Sequence, residues 1–289
     1  MVGAPRFDDS IWALPCWRGP ITIEPLPGGL TNRNHLVTCG GERFVVRHGL
    51  DAPEHGIDRR LEAAISAAAA RAGLAPALVH AGAGFLVLRH IEGRTLEAGD
   101  LSGGAGLTKA IELLRLCRDR MPAFCDFTLP DRRPIRLLEQ YAATLAMPHH
   151  PRHQAFLRYE LPLAALRERL AARPVGFAHN DVHAGNLIDD GERLWLVDWE
   201  YAGAGDPLLD LASLANNGLV PTQAVAGMVR AWCGGEEGDT IAAFPALRLA
   251  AALRDLFWGY VQDGFAGGLG DYIAVNEGRV ARLASIASR

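Results

Sequence analysis

The hydrophobic periodicity of the chain changes near residue 93, and this change limits the folds that the chain can adopt. Between residues 21 and 47, apolar and polar residues alternate around glycine-rich turns, which is typical of antiparallel strands. Residues 77–93 (ALVHAGAGFLVLRHIEG) indicate two further short strands around a turn at residues 81–84. We therefore expect an α+β protein whose first part is a five-stranded antiparallel sheet.

Helical periodicity dominates the rest of the chain. Residues 57–73 are rich in alanine and leucine, and their apolar residues recur at helical spacing up to Gly73. Beyond residue 93, apolar faces recur about every 3.6 residues in the segments KAIELLRLCRDR, IRLLEQYAATLA, HQAFLRYELPLAALRERLAA and RLAAALRDLFWGYVQDG. We predict an N-terminal lobe of residues 1–92, formed by the sheet and one helix, and a mainly helical C-terminal lobe of residues 93–289.

Charge and cysteine content exclude several classes of protein. The 29 Lys and Arg residues stand against 33 Asp and Glu residues, and the net charge of −4 does not favour nucleic acids or anionic membranes. The five cysteines never occur in C-x-x-C spacing, so we expect reduced thiols rather than disulfides or a zinc site. No stretch approaches the ~20 apolar residues that span a bilayer. We expect a cytoplasmic enzyme with no nucleic-acid or membrane partner, and the oligomeric state stays open.

The segment of residues 176–203 (GFAHNDVHAGNLIDDGERLWLVDWEYAG) interrupts the helices with a small strand pair. This segment is predicted to form a loop, a strand, a turn and a second strand. Asp181, Asn186 and Asp198 all lie within it, so their side chains can come close together. Transfer of a phosphoryl group requires Mg²⁺ across the phosphates and an acceptor that orients the attacking hydroxyl. These residue types therefore suit transfer from ATP to an alcohol, with Asp181 orienting the hydroxyl and the other two binding Mg²⁺.

The motif His179-Asn180-Asp181 followed by Asn186, and then Asp198-Trp199-Glu200, resembles the catalytic and metal motifs of the choline kinase and aminoglycoside phosphotransferase superfamily, relatives of protein kinases. The resemblance implies a two-lobe protein-kinase-like fold with ATP between the lobes. It implies that Asp181 is the catalytic residue and that Asn186 and Asp198 are the metal ligands. His179 and Asp210 receive structural roles, and for Asp210 this is a hydrogen bond to the catalytic-loop backbone.

The resemblance extends upstream of this motif. The segment PLPGGLTNRNHLV looks like the phosphate-covering turn of the family, FVVRHG resembles its nucleotide-binding strand, and residues 88–91 would form the hinge to adenine. Arginine replaces the lysine of protein kinases in FVVRHG, as it does in choline kinases. The nucleotide-binding residues that the resemblance implies are Leu30, Thr31, Asn32, Arg47, Glu62, Leu88, His90 and His183. For His183, capping of its own turn is the alternative role.

The acceptor pocket is implied by the helix segment RDLFWGYVQDG, which resembles the choline and ethanolamine kinase helix that supplies an aromatic wall. Aromatic ring faces bind a quaternary ammonium group that cannot donate hydrogen bonds. The substrate-binding residues implied in this way are Glu200, Tyr201, Trp258 and Tyr272. Val261 stands where choline kinases usually carry a second tryptophan, and Asn217 stands where the animal enzymes tend to carry glutamate. We therefore expect a weaker or differently shaped cation pocket. The alternative for Trp258 is simple core packing.

Several functions compete with choline or ethanolamine as the acceptor. The motifs DVHAGNL and DWEYAGAGD also resemble bacterial thiamine kinase, and aminoglycoside kinases belong to the same superfamily. A nucleotide-binding pseudokinase is the alternative outside catalysis, although such a protein gains nothing from an intact base and metal pair. A protein kinase is disfavoured because no D-F-G to A-P-E segment is recognisable. His179, Asp181 and His183 alone make a poor metallohydrolase site.

Overall fold

The structure is a computed structural model that describes residues 7–27, 32–82, 84–235 and 239–287. The strands in these ranges are β1 (Ile21–Leu26), β2 (Arg33–Cys39), β3 (Glu42–His48), β4 (Leu78–Gly82), β5 (Phe85–Arg89), β6 (Arg94–Thr95), β7 (Gly176–Ala178), β8 (Leu187–Asp189), β9 (Leu194–Leu196) and β10 (Gly203–Gly205). The helices are α1 (Phe7–Trp12), α2 (Arg59–Arg71), α3 (Gly104–Phe124), α4 (Pro134–Leu145), α5 (His153–Phe156), α6 (Glu160–Leu170), α7 (Pro207–Asn217), α8 (Thr222–Cys233), α9 (Thr240–Ala266) and α10 (Gly270–Ala287).

The first five strands form one antiparallel sheet in the order β1-β2-β3-β5-β4. Phe44 and Val46 of β3 are buried in a small core on one face of this sheet. Because successive side chains of a strand point to opposite faces, Arg47 lies on the other face, on the side of α2. The predicted fold, a five-stranded antiparallel sheet followed by a mainly helical part, is confirmed.

Helix α2 connects this sheet with the helical part of the protein. Its N-cap residue Asp58 accepts hydrogen bonds from the backbone N–H groups of Arg60 and Leu61, which have no partner inside the helix. Ile65 lies on the apolar face of α2 and belongs to the large core that the C-terminal helices form. The two cores therefore do not divide at residue 92, and the predicted lobe boundary between residues 92 and 93 stays a prediction.

Helix α9 is the central element of the helical part and packs against α4, α7 and α10. Its side chains Leu253, Phe257 and Val261 are fully buried. Two small sheets pack against α3, one formed by β7 and β10 and the other by β6, β8 and β9. The β8–β9 pair is the strand pair that the sequence predicts inside residues 176–203. Within the described ranges, no helix is both long and apolar enough to cross a bilayer.

One predicted helix is divided in the structure. The segment HQAFLRYELPLAALRERLAA forms α5, a 3-10 turn at Leu157–Tyr159 and then α6. Pro162 explains the division, because its nitrogen cannot donate to the carbonyl of Arg158 and its ring would clash with that carbonyl in a continuous helix. Pro162 is tolerated where it stands because it lies in the first turn of α6.

Candidate functional site

The loop after β7 carries the predicted catalytic motif, and α7 fixes its backbone. The carboxylate of Asp210 accepts hydrogen bonds from the backbone N–H groups of His179 and Asn180, both at 2.7 Å. Asn180 has a φ of 64°. This left-handed backbone conformation is uncommon for residues other than glycine and is kept where the surrounding structure fixes it. Burial raises the pKa of Asp210 to about 7, although the two N–H donors act in the opposite direction.

His179 ties the same loop to the strand pair. Its side chain is completely buried, with Nε2 3.1 Å from the carbonyl oxygen of Val197 and Nδ1 3.3 Å from the backbone nitrogen of Asp181. The ring meets Trp199 edge to face at 4.7 Å. Burial lowers the pKa of His179 to about 4, so the imidazole is neutral at pH 7, donates from Nε2 and accepts at Nδ1.

Asp181 is surrounded by hydrogen-bond donors and positive charge. The amide nitrogen of Asn186 donates to the backbone oxygen and to Oδ2 of Asp181, at 2.9 and 3.1 Å. His183 Nε2 lies 3.7 Å from Oδ2, and Arg254 lies 3.7 Å from Oδ1. Burial alone would raise the pKa of Asp181, but His183 and Arg254 hold it below its usual range. The carboxylate is therefore ionised, and its side chain is still 24% exposed.

The β8–β9 hairpin brings Asn186 and Asp198 to the same end of the strand pair. Leu187 pairs with Leu196, and the backbone N–H of Val197 donates to the carbonyl of Asn186 at 3.0 Å. Asp198 follows with a φ of 69°. Because the amide nitrogen of Asn186 is bonded to Asp181, its side-chain oxygen is the atom that it can offer to a cation.

A cluster of five ionised side chains lies between α2, β3 and the segment after β9; we call it the ion-pair cluster. Arg47 contacts Glu62 at 2.8 Å, Asp198 at 2.6 Å and Glu200 at 2.6 Å. Arg59 contacts Glu62 at 2.6 Å and Glu200 at 2.7 Å. The cluster thus combines two guanidinium groups with three carboxylates.

The carboxylates of the ion-pair cluster suit a hard cation. Glu62, Asp198 and Glu200 each offer an oxygen within 4.8 Å of the others. Burial raises the pKa of Asp198 and of Glu200, and neighbouring carboxylate charge adds to this in both cases, while Arg47 opposes it. An excess of closely spaced carboxylates is the kind of donor set that Mg²⁺ prefers.

The structure also places the other residues for which a nucleotide contact is predicted. Asn32 donates to Glu200 at 3.1 Å and accepts from Arg59 at 2.9 Å, which ties Asn32 to the ion-pair cluster. Leu30 and Thr31 lie outside the described residues. Their contacts with nucleotide stay predictions.

On the hinge side, Leu88 lies in β5 and His90 follows that strand. The backbone N–H of His90 donates to the carbonyl of Arg43, so this N–H is already used inside the sheet. His183 Nδ1 accepts from the backbone N–H of Gly185 at 3.1 Å, the capping role that the sequence left open. Nucleotide contacts of Leu88, His90 and His183 stay predictions.

Three of the four residues predicted for the acceptor pocket lie together. Trp258 Nε1 donates to the hydroxyl of Tyr201 at 2.9 Å, and the Trp258 ring meets Tyr272 edge to face at 5.4 Å. His55 lies against the Trp258 ring at 5.7 Å. We call Tyr201, Trp258, Tyr272 and His55 the aromatic group. The fourth predicted residue, Glu200, instead accepts from the arginines of the ion-pair cluster, and an acceptor contact for it stays a prediction.

The aromatic group lies within electrostatic range of Asp181. Burial raises the pKa of the Tyr201 and Tyr272 hydroxyls well above the usual value, and the charge of Asp181 adds to this effect for both. The charge of Asp181 also contributes to the raised pKa of Asp198, which belongs to the ion-pair cluster. Asp181 thus lies within electrostatic range of both the ion-pair cluster and the aromatic group.

Residues 22–248 match the phosphotransferase enzyme family, known as APH, and this match covers more than half of the chain. The chain belongs to the phosphotransferase enzyme family. The predicted superfamily and the prediction of a small-molecule phosphotransferase are thereby confirmed at the level of the family.

Two relatives of this phosphotransferase match most of the chain. Protein LicA of Haemophilus influenzae is 28% identical over 218 residues, which are 71% of this chain and 61% of that protein. The chain thus spans less than two thirds of the length of this relative. A choline/ethanolamine kinase family protein from Mesorhizobium loti has the same fold, with 27% identity, a TM-score of 0.74 and coverage of 97% of this chain and 93% of that chain.

A third relative matches only locally. Thiamine kinase of Shigella boydii is 48% identical over 54 residues, which are 18% of this chain and 20% of that enzyme.

The structure of this phosphotransferase also reveals site residues that the sequence did not indicate. Arg59 joins the ion-pair cluster, and its position three residues before Glu62 on one helix face is a signal that could have found it. His55 and Arg254 reach the aromatic group and Asp181 through contacts between residues distant in sequence. Local spacing carries no signal for such contacts.

Proposed function

We propose that this phosphotransferase transfers the γ-phosphoryl group of Mg-ATP to the hydroxyl of a small cationic alcohol, with choline or ethanolamine as the acceptor. The observation that carries the proposal is the position of Asp181. Its partly exposed carboxylate lies within electrostatic range of Asp198 in the ion-pair cluster and of Tyr272 in the aromatic group. A phosphate donor and a cationic alcohol would meet at this carboxylate.

Asp181 would act mainly by orienting the acceptor hydroxyl. Phosphoryl transfer has a loose transition state, so the acceptor oxygen need not be deprotonated in advance. The lowered pKa of Asp181 makes it a weak base before the reaction and an effective hydrogen-bond acceptor. As the acceptor oxygen bonds to phosphorus and the bond from the γ-phosphorus to the bridging oxygen of ADP breaks, the hydroxyl proton would pass to Asp181.

Asn186 and Asp198 would hold Mg²⁺ through oxygen atoms, and the metal would neutralise charge on the phosphates when bound. The donor set fits this ion, because Asp198 belongs to a cluster in which carboxylates outnumber arginines. Arg47 and Asn32, which meet at Glu200, would lie along the phosphates. Adenine would bind at the end of β5, near Leu88 and His90.

The cationic head of the acceptor would bind to the aromatic group. Each ring face contributes roughly 0.5 to 2 kcal/mol to binding of a quaternary ammonium. Trp258 and Tyr272 meet at an angle of 70°, which is compatible with two walls of one pocket. Val261 is fully buried in the core, so it does not add a further wall.

Thiamine is the second candidate acceptor, and the 48% identity with thiamine kinase over 54 residues favours it. Thiamine is also an alcohol with a cationic aromatic ring, and it would use the same aromatic group and the same Asp181.

A coupled assay of ADP release, with choline, ethanolamine, thiamine and one aminoglycoside at the same Mg-ATP concentration, tests the proposal. We expect the highest kcat/KM with choline or ethanolamine, and the product should be the phosphate monoester. A higher kcat/KM with thiamine would change the proposed acceptor to thiamine and leave the proposed reaction unchanged. Failure to release ADP with every alcohol would overturn the proposed activity.

A further inference from the structure

Beyond the residues of the proposed reaction, a polar network reaches Asp181 from the C-terminal helices. It consists of Arg254 and Asp255 on α9, Arg279 on α10 and Asn217 at the end of α7, and we call it the C-terminal network. Arg254 and Asp255 are more than nine-tenths buried. Burial of an unpaired charge is costly, so the buried charges of this network require partners inside the protein.

The contacts of the network form a continuous chain. Arg254 donates to Oδ1 of Asp255 from Nε at 3.1 Å and from a terminal nitrogen at 2.6 Å, and the same terminal nitrogen lies 3.7 Å from Oδ1 of Asp181. Arg279 lies 3.4 Å from Oδ2 of Asp255 and donates to the side-chain oxygen of Asn217 at 3.0 Å. Both oxygens of Asp255 are thus held, and the guanidinium of Arg254 has a fixed direction.

The network returns to the catalytic loop through its backbone. The amide nitrogen of Asn217 donates to the carbonyl of Val182 at 3.1 Å, and Val182 is the residue after Asp181. Asp210 holds the N–H groups on the other side of Asp181 from the same helix, seven residues earlier in the sequence. Residues seven apart lie on one helix face, about 10.5 Å along the axis. One face of α7 therefore holds the loop on both sides of Asp181.

Charge balance assigns Arg254 to Asp181 as well as to Asp255. Arg254 and Arg279 carry two positive charges, and Asp255 and Asp181 carry two negative charges. Without Arg254, Asp255 would keep its contact with Arg279, and Asp181 would depend on His183, whose Nε2 lies 3.7 Å from Oδ2. The contact at 3.7 Å is too long for a strong hydrogen bond, so it acts by orientation and charge.

From these contacts we propose that Arg254 is a positioning residue for Asp181, and that Asp255, Arg279 and Asn217 hold it in place. The inference rests on the proposed function for its effect on turnover. Arg254 would keep Oδ1 of Asp181 turned away from Asn186, which contacts Oδ2, so that the carboxylate has one orientation toward the acceptor hydroxyl.

The test compares Arg254→Gln, Arg254→Lys and Arg279→Gln, with Arg248→Gln as the matched control. Arg248 is also a partly buried arginine of α9; its side chain donates to Asn216, and it interacts with the network through the charge of Arg279 rather than through Arg254 or Asp255. A small misplacement of a catalytic group can lower the rate by about 10²-fold, so we expect such a loss in kcat for Arg254→Gln with little change in KM for ATP. Arg254→Lys should recover at least about a tenth of the wild-type kcat, since it keeps the charge.

Arg279→Gln should lower kcat in the same direction and by less, because it loosens Arg254 without removing it. The double variant Arg254→Gln/Arg279→Gln should then be no slower than Arg254→Gln alone. Additive losses, or equal losses in Arg248→Gln and Arg254→Gln, would overturn the proposal, because both results describe a general loss of packing.

A second readout does not depend on the acceptor. Hydrogen exchange of the backbone amides of residues 179–186 should become faster in Arg254→Gln and stay at the wild-type rate in Arg248→Gln. Unchanged exchange in this loop would overturn the positioning role. If the wild-type protein phosphorylates no alcohol, the proposed function fails by itself, and the exchange measurement still decides whether Arg254 orders the loop.

Discussion

Arg47 is the side chain on which the ion-pair cluster depends most, and its replacement gives the sharpest stability prediction. Only 8% of Arg47 is exposed, and it contacts three carboxylates, those of Glu62, Asp198 and Glu200. Arg47→Met removes the charge and keeps much of the apolar stem. Arg59 then remains as the cation of the cluster, and its ion pairs reach Glu62 and Glu200. Asp198 would lose its ion pair with Arg47.

The magnitude follows from burial. Removing one partner of a buried ion pair costs about 3 to 5 kcal/mol, because the remaining charge is left uncompensated. The side chain of Asp198 is 27% exposed and can be partly hydrated, which places the expected loss for Arg47→Met near the lower end, at about 3 kcal/mol. Arg47→Lys should lose less, since an ammonium keeps the charge but cannot bridge three carboxylates as the planar guanidinium does.

Urea unfolding at pH 7.5 in EDTA measures the loss as a shift of the midpoint at constant m-value. Arg43→Met is the matched control, because Arg43 lies on the same strand and pairs with Glu92 at the surface, where the two side chains are 40% and 74% exposed. The control should lose less than about 1 kcal/mol. If Arg47→Met also stays within 1 kcal/mol of the wild type, the reasoning about the cluster is refuted.

Two further predictions concern the aromatic group and the catalytic loop. Trp258→Ala should raise KM for choline by about 3- to 30-fold and leave KM for ATP unchanged, whereas Trp258→Phe should keep most of the affinity; equal changes in both KM values would mean that Trp258 is only a core residue. Burial lowers the pKa of His179 to about 4 in the folded state, whereas a histidine in the unfolded state has a pKa of about 6.5. Between these two pH values the unfolded state binds a proton and the folded state does not. This group alone should therefore lower the free energy of unfolding by about 2 kcal/mol between pH 7.5 and pH 5. His179→Gln should lack that part of the pH dependence, and an identical pH dependence in urea unfolding would contradict the assignment.

Predictions from the sequence succeeded where the evidence was local. The short hairpin between Asn186 and Asp198 was predicted from local patterning, and it is present as β8 and β9, with both residues at the same end of the strand pair. The alternation in residues 21–47 likewise predicted β1 to β3, because strand periodicity is a property of neighbouring residues. In the same way, α2 ends two residues before Gly73, whose φ is 75°.

Sequence reasoning failed where the outcome depended on tertiary contacts. Helices α1, α7, α8 and α10 were not predicted. The contact of Arg254 with Asp181 joins residues 73 positions apart in the chain, and periodicity indicates only which helix face is buried. The sequence also did not indicate the ion pair between Glu200 and Arg59 of α2, whereas the predicted acceptor contact of Glu200 stays a prediction.

The central claim is that Asp181 receives the acceptor hydroxyl, and phosphorus NMR of the reaction with Mg-ATP and choline or ethanolamine tests it most directly. Asp181→Asn is compared with Asp189→Asn, whose carboxylate lies on the β8–β9 hairpin that follows the catalytic loop, is also 24% exposed and pairs with Lys109. We expect the wild type and Asp189→Asn to form the phosphate monoester at similar rates, and Asp181→Asn to be slower by about 10² to 10⁴-fold with unchanged affinity for Mg-ATP. Formation of the monoester by Asp181→Asn at the wild-type rate would contradict the account.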